Sequence, residues 1–327
     1  MSLAPYIHAM GRGPGRARNL DALEAEAAMR LILAGQADPH AIGALLMLMR
    51  YRGETSEEIA GFTCAARARL PALPAVDLDW PSYAAGRTRG LPWFLLAARL
   101  VAQSGARVLI HGWNTHQQPG ADLRAALAFC GIPRTDNPAE AASLLARDGI
   151  VYLPLESFAP GLRDLLRLRE VLGLRSCVNT LCRMLNPARA PAAVQGVFHP
   201  PYLTLQQAAG ALLGQPRLGV LKGGGGEFER NPSKPVTLYR LIDGAPHEAV
   251  LAPLLPEPQR LADHRHPLQA LADLWAGRLQ DPFAEAVIHA TTAAALITLG
   301  HPPATAETLA RKLWAERVLP RPRKEFA

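Results

Sequence analysis

Lys222 is followed by four glycines, Gly223 to Gly226, and then by Glu227-Phe228-Glu229-Arg230. Four consecutive glycines are costly to order and mark a place where backbone comes close to something. Free backbone N–H groups beside a lysine form an anion cradle. The chemistry this predicts is phosphate contact through Lys222, the amides of Gly223 and Gly224, and Arg230. A flexible hairpin loop with charged flanks has the same composition, and the stretch matches no P-loop or dinucleotide pattern. A second basic stretch lies near the start, where Arg12, Arg16 and Arg18 alternate with Gly11, Gly13 and Gly15. It reads as a basic arm for phosphates or as a solvated terminus. His111, His116 and His199 have no acidic partners at ligand spacing, so no metal site is expected from them. Trp93, Trp113, Tyr202 and Trp314 have faces on which bases could stack, although packing is the ordinary use of such rings.

These residues need elements to hold them. Leu20, Leu23, Ala27, Leu31 and Ala34 recur at helical spacing behind a cap at Asn19, and Gly35 ends that helix. Asp38-Pro39 opens a second helix that closes at Gly53. Thr55 or Ser56 opens a third, running to about Leu70. Three short-looped helices predict a small bundle. Pro71–Pro81 reads as a connector. Beyond it, short apolar strands (108–110, 150–153, 193–198, 218–221 and 235–241) alternate with helices, which predicts a largely parallel, covered sheet. Leu218–Leu221 feeds the glycine loop directly. Residues 250–266 read as irregular or β, and a long apolar helix follows Asp281-Pro282.

Among 327 residues, 49% are hydrophobic and 19% charged, which excludes a disordered chain. Lys and Arg number 35 against 28 Asp and Glu, a net charge of +7 that suits a polyanionic partner. Cys64, Cys130, Cys177 and Cys182 form no CxxC pair and read as reduced thiols of a cytoplasmic protein. No secretory signal or membrane span is expected, since the 284–299 run is broken by Glu285, His289 and threonines.

Several segments then fall into one order. DPHAIGALLMLMRYRGETSEEIAGF, ARVLIHGWN, LGLRSCVNTLCRMLNPA, GVFHPPY and GVLKGGGGEFERN together resemble the anthranilate phosphoribosyltransferases and their nucleoside phosphorylase relatives. The resemblance implies a small helical domain from residues 1–75 and 161–187, and a larger α/β domain from 76–160 and 188–327 with a central, mostly parallel sheet flanked by helices. It matches Arg175 to the enzymes' substrate-contacting arginine. Where those enzymes carry a Gly-Thr-Gly-Gly-Asp loop for phosphoribosyl diphosphate, this chain has Ala84 to Pro92, with Arg87 and Arg89 in place of the paired glycines and aspartate. Where they carry an Asp-Glu pair for magnesium, Phe228 and Glu229 stand; Glu227 and Glu229, at i and i+2, would be the remaining carboxylates for a hard cation.

The departures, with GRGPGRARNL, LIHGW and LKGGGGEFERNPSKP, resemble a side branch, the YbiB-type proteins, which dimerise and bind nucleic acid. That resemblance implies a homodimer binding DNA or RNA largely without sequence preference, possibly single-stranded. No catalytic residue, metal or cofactor belongs to this expectation. Arg12, Arg16, Arg18, Arg87, Arg89, Arg175, Lys222, Arg230 and Lys234 would meet phosphates, with Gly223 and Gly224. The alternative expectation is a glycosyl- or phosphoribosyltransferase of altered specificity, using Mg2+ on Glu227 and Glu229 together with phosphoribosyl diphosphate.

Overall fold

Pro5 and Asp38-Pro39 show how local chemistry starts the helical layer. The computed structural model describes residues 2–13, 15–83, 90–113, 123–261 and 266–317. Its first element is α1 (Ala4–Gly11), a helix not expected from the sequence, with Pro5 in its first turn. Residues 16–18 fold back on it: the Arg18 N–H donates to the Ala9 carbonyl at 3.0 Å. Then come α2 (Ala22–Leu33), α3 (Pro39–Arg52) and α4 (Ser56–Arg67). The cap of α2 is Asp21, not Asn19, because Asp21 and Glu24 form a reciprocal capping box. Thr55 and Glu58 form the same box on α4. Each cap contributes roughly 1 kcal/mol. Glu58 also accepts the Leu20 N–H at 2.9 Å, so one buried carboxylate ties α4 to the chain entering α2.

The sheet follows. Its strands are β1 (Leu78–Ser82), β2 (Val108–Gly112), β3 (Ile150–Pro154), β4 (Ala192–Val197), β5 (Arg217–Lys222), β6 (Val236–Ile242) and β7 (Ala245–Leu251). They lie in the order β3-β2-β1-β4-β5-β6-β7. The first five neighbours pair parallel, and β6 and β7 add an antiparallel edge. β1 sits inside the stretch read as a connector. Pro81 argues against a central strand, yet it fits because the ladder from β1 to β4 covers only Leu78 and Asp79. Pro81, which has no N–H, stands beyond it. β1 and β4 therefore separate toward their C-terminal ends, and the chain order reverses between them. That is the crevice where open α/β sheets bind ligands.

Helices cover both faces. α5 (Phe94–Gln103), α6 (Leu123–Cys130), α13 (Gln269–Trp275), α14 (Pro282–Leu299) and α15 (Pro303–Ala315) share one core with Leu78, Trp80, Val108 and Ile110. α14 is long and apolar enough to span a membrane, but most of it is buried inside the protein. On the other face, α1 to α4 share a core with α7 (Ala141–Asp148), α8 (Leu155–Phe158), α9 (Pro160–Arg167) and α11 (Val178–Arg183), and with Leu109, Val151 and Leu153 of the sheet. The short α10 (Arg169–Leu172) precedes α11 and is closed by Gly173. α12 (Pro201–Leu212) links β4 to β5. The architecture is thus a helical layer beside an α/β layer with a mostly parallel seven-stranded sheet, as expected. Arg67 fastens the two helical segments: its buried guanidinium donates to the Leu185 and Met184 carbonyls at 2.8 and 3.0 Å.

Candidate active site at the sheet switch point

Arg50 lies in the last turn of α3, Arg175 precedes α11, and Arg183 ends it. These three arginines, far apart in sequence, line one cleft with the end of β4 (Val197 to His199) and with Tyr202 and Gln206 of α12. Ser176, Asn179 and Thr180 supply neutral polar groups on the same wall. The cleft lies at the C-terminal end of β4, whose last residue, Val197, pairs in register with Lys222 of β5. Tyr202 fixes α12 against the helical layer by donating to Glu54 Oε2 at 2.8 Å. Among the described residues no carboxylate lines the cleft itself. Burial lowers the Arg175 pKa to about 10, and the repulsion of Arg169, Arg183 and Arg50 adds to that shift. Arg183 is 6% exposed, and its pKa is also lowered by burial, with Glu227 acting through space in the opposite sense.

The glycine loop is built differently. Gly223 N–H donates to the Val197 carbonyl at 3.1 Å, Gly226 N–H to the Gly223 carbonyl at 3.3 Å, and Gly224 N–H toward the Glu229 carbonyl at 3.4 Å. The amides expected to cradle a phosphate are spent within the loop. The glycines are required by close packing: a Cβ on Gly223 would stand 1.8 Å from the Glu227 carbonyl oxygen. Gly225 and Gly226 take φ of 64° and 85°, which side chains disfavour. Phe228 is fully buried, its ring edge-on to Trp80 at 5.4 Å. Glu229 is also fully buried, and its Oε2 accepts the Phe94 N–H at 3.0 Å, at the start of α5. Glu227 is 1% exposed.

A third cluster lies under the helical layer. Tyr83 Oη is 2.8 Å from His111 Nδ1, and His111 Nε2 is 3.2 Å from Asp79 Oδ1, an ion-pair distance without hydrogen-bond alignment. All three are buried. Burial raises the tyrosine pKa well above its ordinary value. This cluster joins the ends of β1 and β2.

Several expectations need correction. Arg230 does not reach solvent: it is fully buried, its N–H donates to Thr291 Oγ1 at 3.0 Å and its guanidinium to the Ala252 carbonyl. Burial lowers its pKa to about 10. Arg18 is held by both carboxylate oxygens of Glu24, at 2.5 and 2.6 Å. Arg12 is exposed, with its Nε donating to His8 Nε2 at 3.2 Å, and Arg16 is exposed beside it. Lys222 and Lys234 are exposed, Lys222 at the C-terminal end of β5 and Lys234 ahead of β6. Arg175 belongs to the cleft between the layers. Arg87 and Arg89 lie outside the described residues, as does His116. Trp93, Trp113 and Trp314 are buried packing residues, not platforms for bases. For the magnesium alternative, Phe228 offers no oxygen, Glu227 and Glu229 are both buried, and Glu229 accepts a backbone N–H; among the described residues no three His, Cys, Asp or Glu side chains come together.

Sequence reasoning missed Arg50 and Arg183. A signal for Arg183 was present: it is a charge inside the apolar run Leu181-Cys182-Arg183-Met184-Leu185, whose other members are all buried. Arg50 carries no such signal.

The architecture and this cleft define a class, the glycosyl transferases with a helical bundle domain, and residues 4–70 match the model of that helical bundle domain. Along its whole length the chain belongs to the anthranilate phosphoribosyltransferase family. It is 30% identical over 322 residues to the anthranilate phosphoribosyltransferase of Methylobacterium nodulans, covering 95% of this chain and 93% of that one. It is 31% identical over 258 residues to that of Thermomicrobium roseum, covering 77% and 73%. The crystal structure of the Thermus thermophilus anthranilate phosphoribosyltransferase superposes with a TM-score of 0.80 at 25% identity, over 96% of this chain and 94% of that one. The Saccharomyces cerevisiae enzyme, in complex with PRPP and Mg, shares the fold with a TM-score of 0.77 at 17% identity, over 96% and 95%. These relatives overturn the nucleic-acid reading; of its residues, Arg230 is a buried core position, Arg18 is in an ion pair, the Gly223 and Gly224 amides are spent and Arg175 lies in the cleft, while Arg12, Arg16, Lys222 and Lys234 are exposed.

Proposed function

We propose that the chain is a phosphoribosyltransferase-class enzyme of altered substrate specificity, binding an anionic acceptor in the Arg50–Arg175–Arg183 cleft. The observation that carries this reading is the cleft itself, at the C-terminal end of β4 and lined by Arg175, which the family resemblance matches to a substrate-contacting arginine. The reaction class displaces pyrophosphate from C1 of the sugar by a nucleophilic atom of the acceptor. Arg175 and its neighbours bind and orient the acceptor, which brings the nucleophile into place and supplies much of the rate. Lys222, exposed at the end of β5, pairs in register with Val197, and its charge there would oppose the negative charge of departing pyrophosphate. No step is assigned to magnesium: Glu227 and Glu229, the carboxylates that would hold it, are both buried, and Glu229 accepts a backbone N–H.

Calorimetry of the full chain with phosphoribosyl diphosphate, with and without Mg2+, tests the reading, followed by an assay for pyrophosphate release over a panel of acceptors. A saturable heat in either condition and pyrophosphate release with an acceptor other than anthranilate are expected. Absence of donor binding in both conditions overturns it.

A further inference from the structure

Three arginines, Arg50, Arg175 and Arg183, line the cleft, and Arg169 adds its repulsion at Arg175. Two carboxylates stand behind them: Glu54, which accepts from Tyr202, and Glu227, which acts on Arg183. Arg183 is more than nine-tenths buried, and its Nη2 has no hydrogen-bond partner among the described residues. Gln206, 1% exposed, likewise has an Oε1 without a partner on the cleft wall. A buried guanidinium with an unused N–H is costly unless something binds to it.

We propose that this cleft takes a compact dianion of phosphate chemistry, either inorganic phosphate or the terminal group of a phosphomonoester. The inference rests on the transferase reading for the site's place in a reaction, but not for the binding itself. Guanidinium groups present paired N–H donors that match phosphoryl oxygens, and three of them from different elements surround a tetrahedral group better than a planar one. Ser176, Asn179 and Thr180 add neutral donors on the same wall. Phe198, half exposed and edge-on to His199 at 4.8 Å, gives the mouth an apolar side, where the rest of a phosphomonoester would lie. A carboxylate offers two oxygens to these three guanidinium groups, and a phosphoryl group offers three.

The experiment is a titration of the full chain, by calorimetry and by thermal shift, with inorganic phosphate, ribose 5-phosphate, succinate and benzoate. Phosphate or ribose 5-phosphate is expected to bind at least tenfold tighter than benzoate. Tighter binding of ribose 5-phosphate than of phosphate identifies the phosphomonoester as the source, and the reverse identifies the free ion. The variant Arg183→Met supplies the decisive arm. It should lower phosphate affinity at least tenfold while raising the melting temperature of the unliganded protein, because it removes a desolvated charge and keeps the volume. A residue with a purely structural role would lower the melting temperature instead. Equal binding of benzoate and phosphate, tighter binding of succinate than of either phosphate compound, or unchanged phosphate affinity in Arg183→Met overturns the proposal. Phosphate binding without any response to phosphoribosyl diphosphate would leave this inference standing and remove the transferase reading. Donor binding without phosphate binding would do the opposite.

Discussion

The arginine cleft and the glycine loop end neighbouring strands, yet they use polar groups in opposite ways. In the loop the polar groups turn inward: the amides of Gly223, Gly224 and Gly226 bond within or beside the loop, and Glu229 holds the Phe94 N–H. In the cleft, polar groups are gathered and left open: three arginines line it, and Arg183 keeps an N–H with no partner among the described residues. Glycines and charges in a row therefore do not by themselves make a binding site. A binding site is marked by donors that the fold has brought together and not satisfied.

The comparison breaks most sharply at the backbone contact that holds the loop to β4. A Cβ on Gly196 would stand 2.0 Å from the Glu227 carbonyl carbon and 2.1 Å from its oxygen. Gly196→Ala should destabilise the protein by about 3 kcal/mol, since overpacking against backbone cannot be relieved by a side-chain rotation. The midpoint of urea unfolding measures it; a midpoint unchanged from the parent would show that the loop has room to move.

A smaller loss is expected at the loop's carboxylate. Glu229→Ala leaves the buried Phe94 N–H without its acceptor and should cost about 2 kcal/mol. If the same variant were neutral for stability and instead abolished Mg2+-dependent donor binding, the loop would be a metal site after all.

The cleft should behave in the reverse manner. Arg175→Ala is expected to change stability by no more than about 0.5 kcal/mol, because among the described residues no hydrogen bond depends on it and its repulsion from Arg169, Arg183 and Arg50 is relieved. Phosphate affinity should fall at least tenfold in the titration used for Arg183→Met. A large loss of stability with affinity retained would make Arg175 a structural residue and remove the contrast between the two regions.

Much of the layer structure was legible because local chemistry and burial agreed. Asp38-Pro39 starts its helix as expected, and Thr55, one of the two expected caps, starts the next through its box with Glu58. The apolar runs at 108–110, 150–153 and 218–221 all became strands of the parallel sheet. β1 was hidden by Pro81, whose missing N–H matters only where a neighbouring strand needs it. α1 was hidden by the glycines and arginines that follow it. For the site, Lys222 and the glycines drew attention because they are contiguous. Arg50 and Arg183 did not, because they meet only after α3, α11 and β4 have packed.

The sequence alone determined the two kinds of layer, the place of the glycine loop after β5, and the likeness that pairs Arg175 with a substrate-contacting arginine. These follow from spacing, capping and order along the chain, all of which are local. Only the tertiary structure decided that Arg230 and Glu229 are interior while Arg175 shares a cleft with Arg50 and Arg183. An arginine, an amide or a carboxylate has the same donors and acceptors wherever it occurs. Whether those groups are spent inside the fold or held ready for a ligand depends on neighbours more than a hundred residues away.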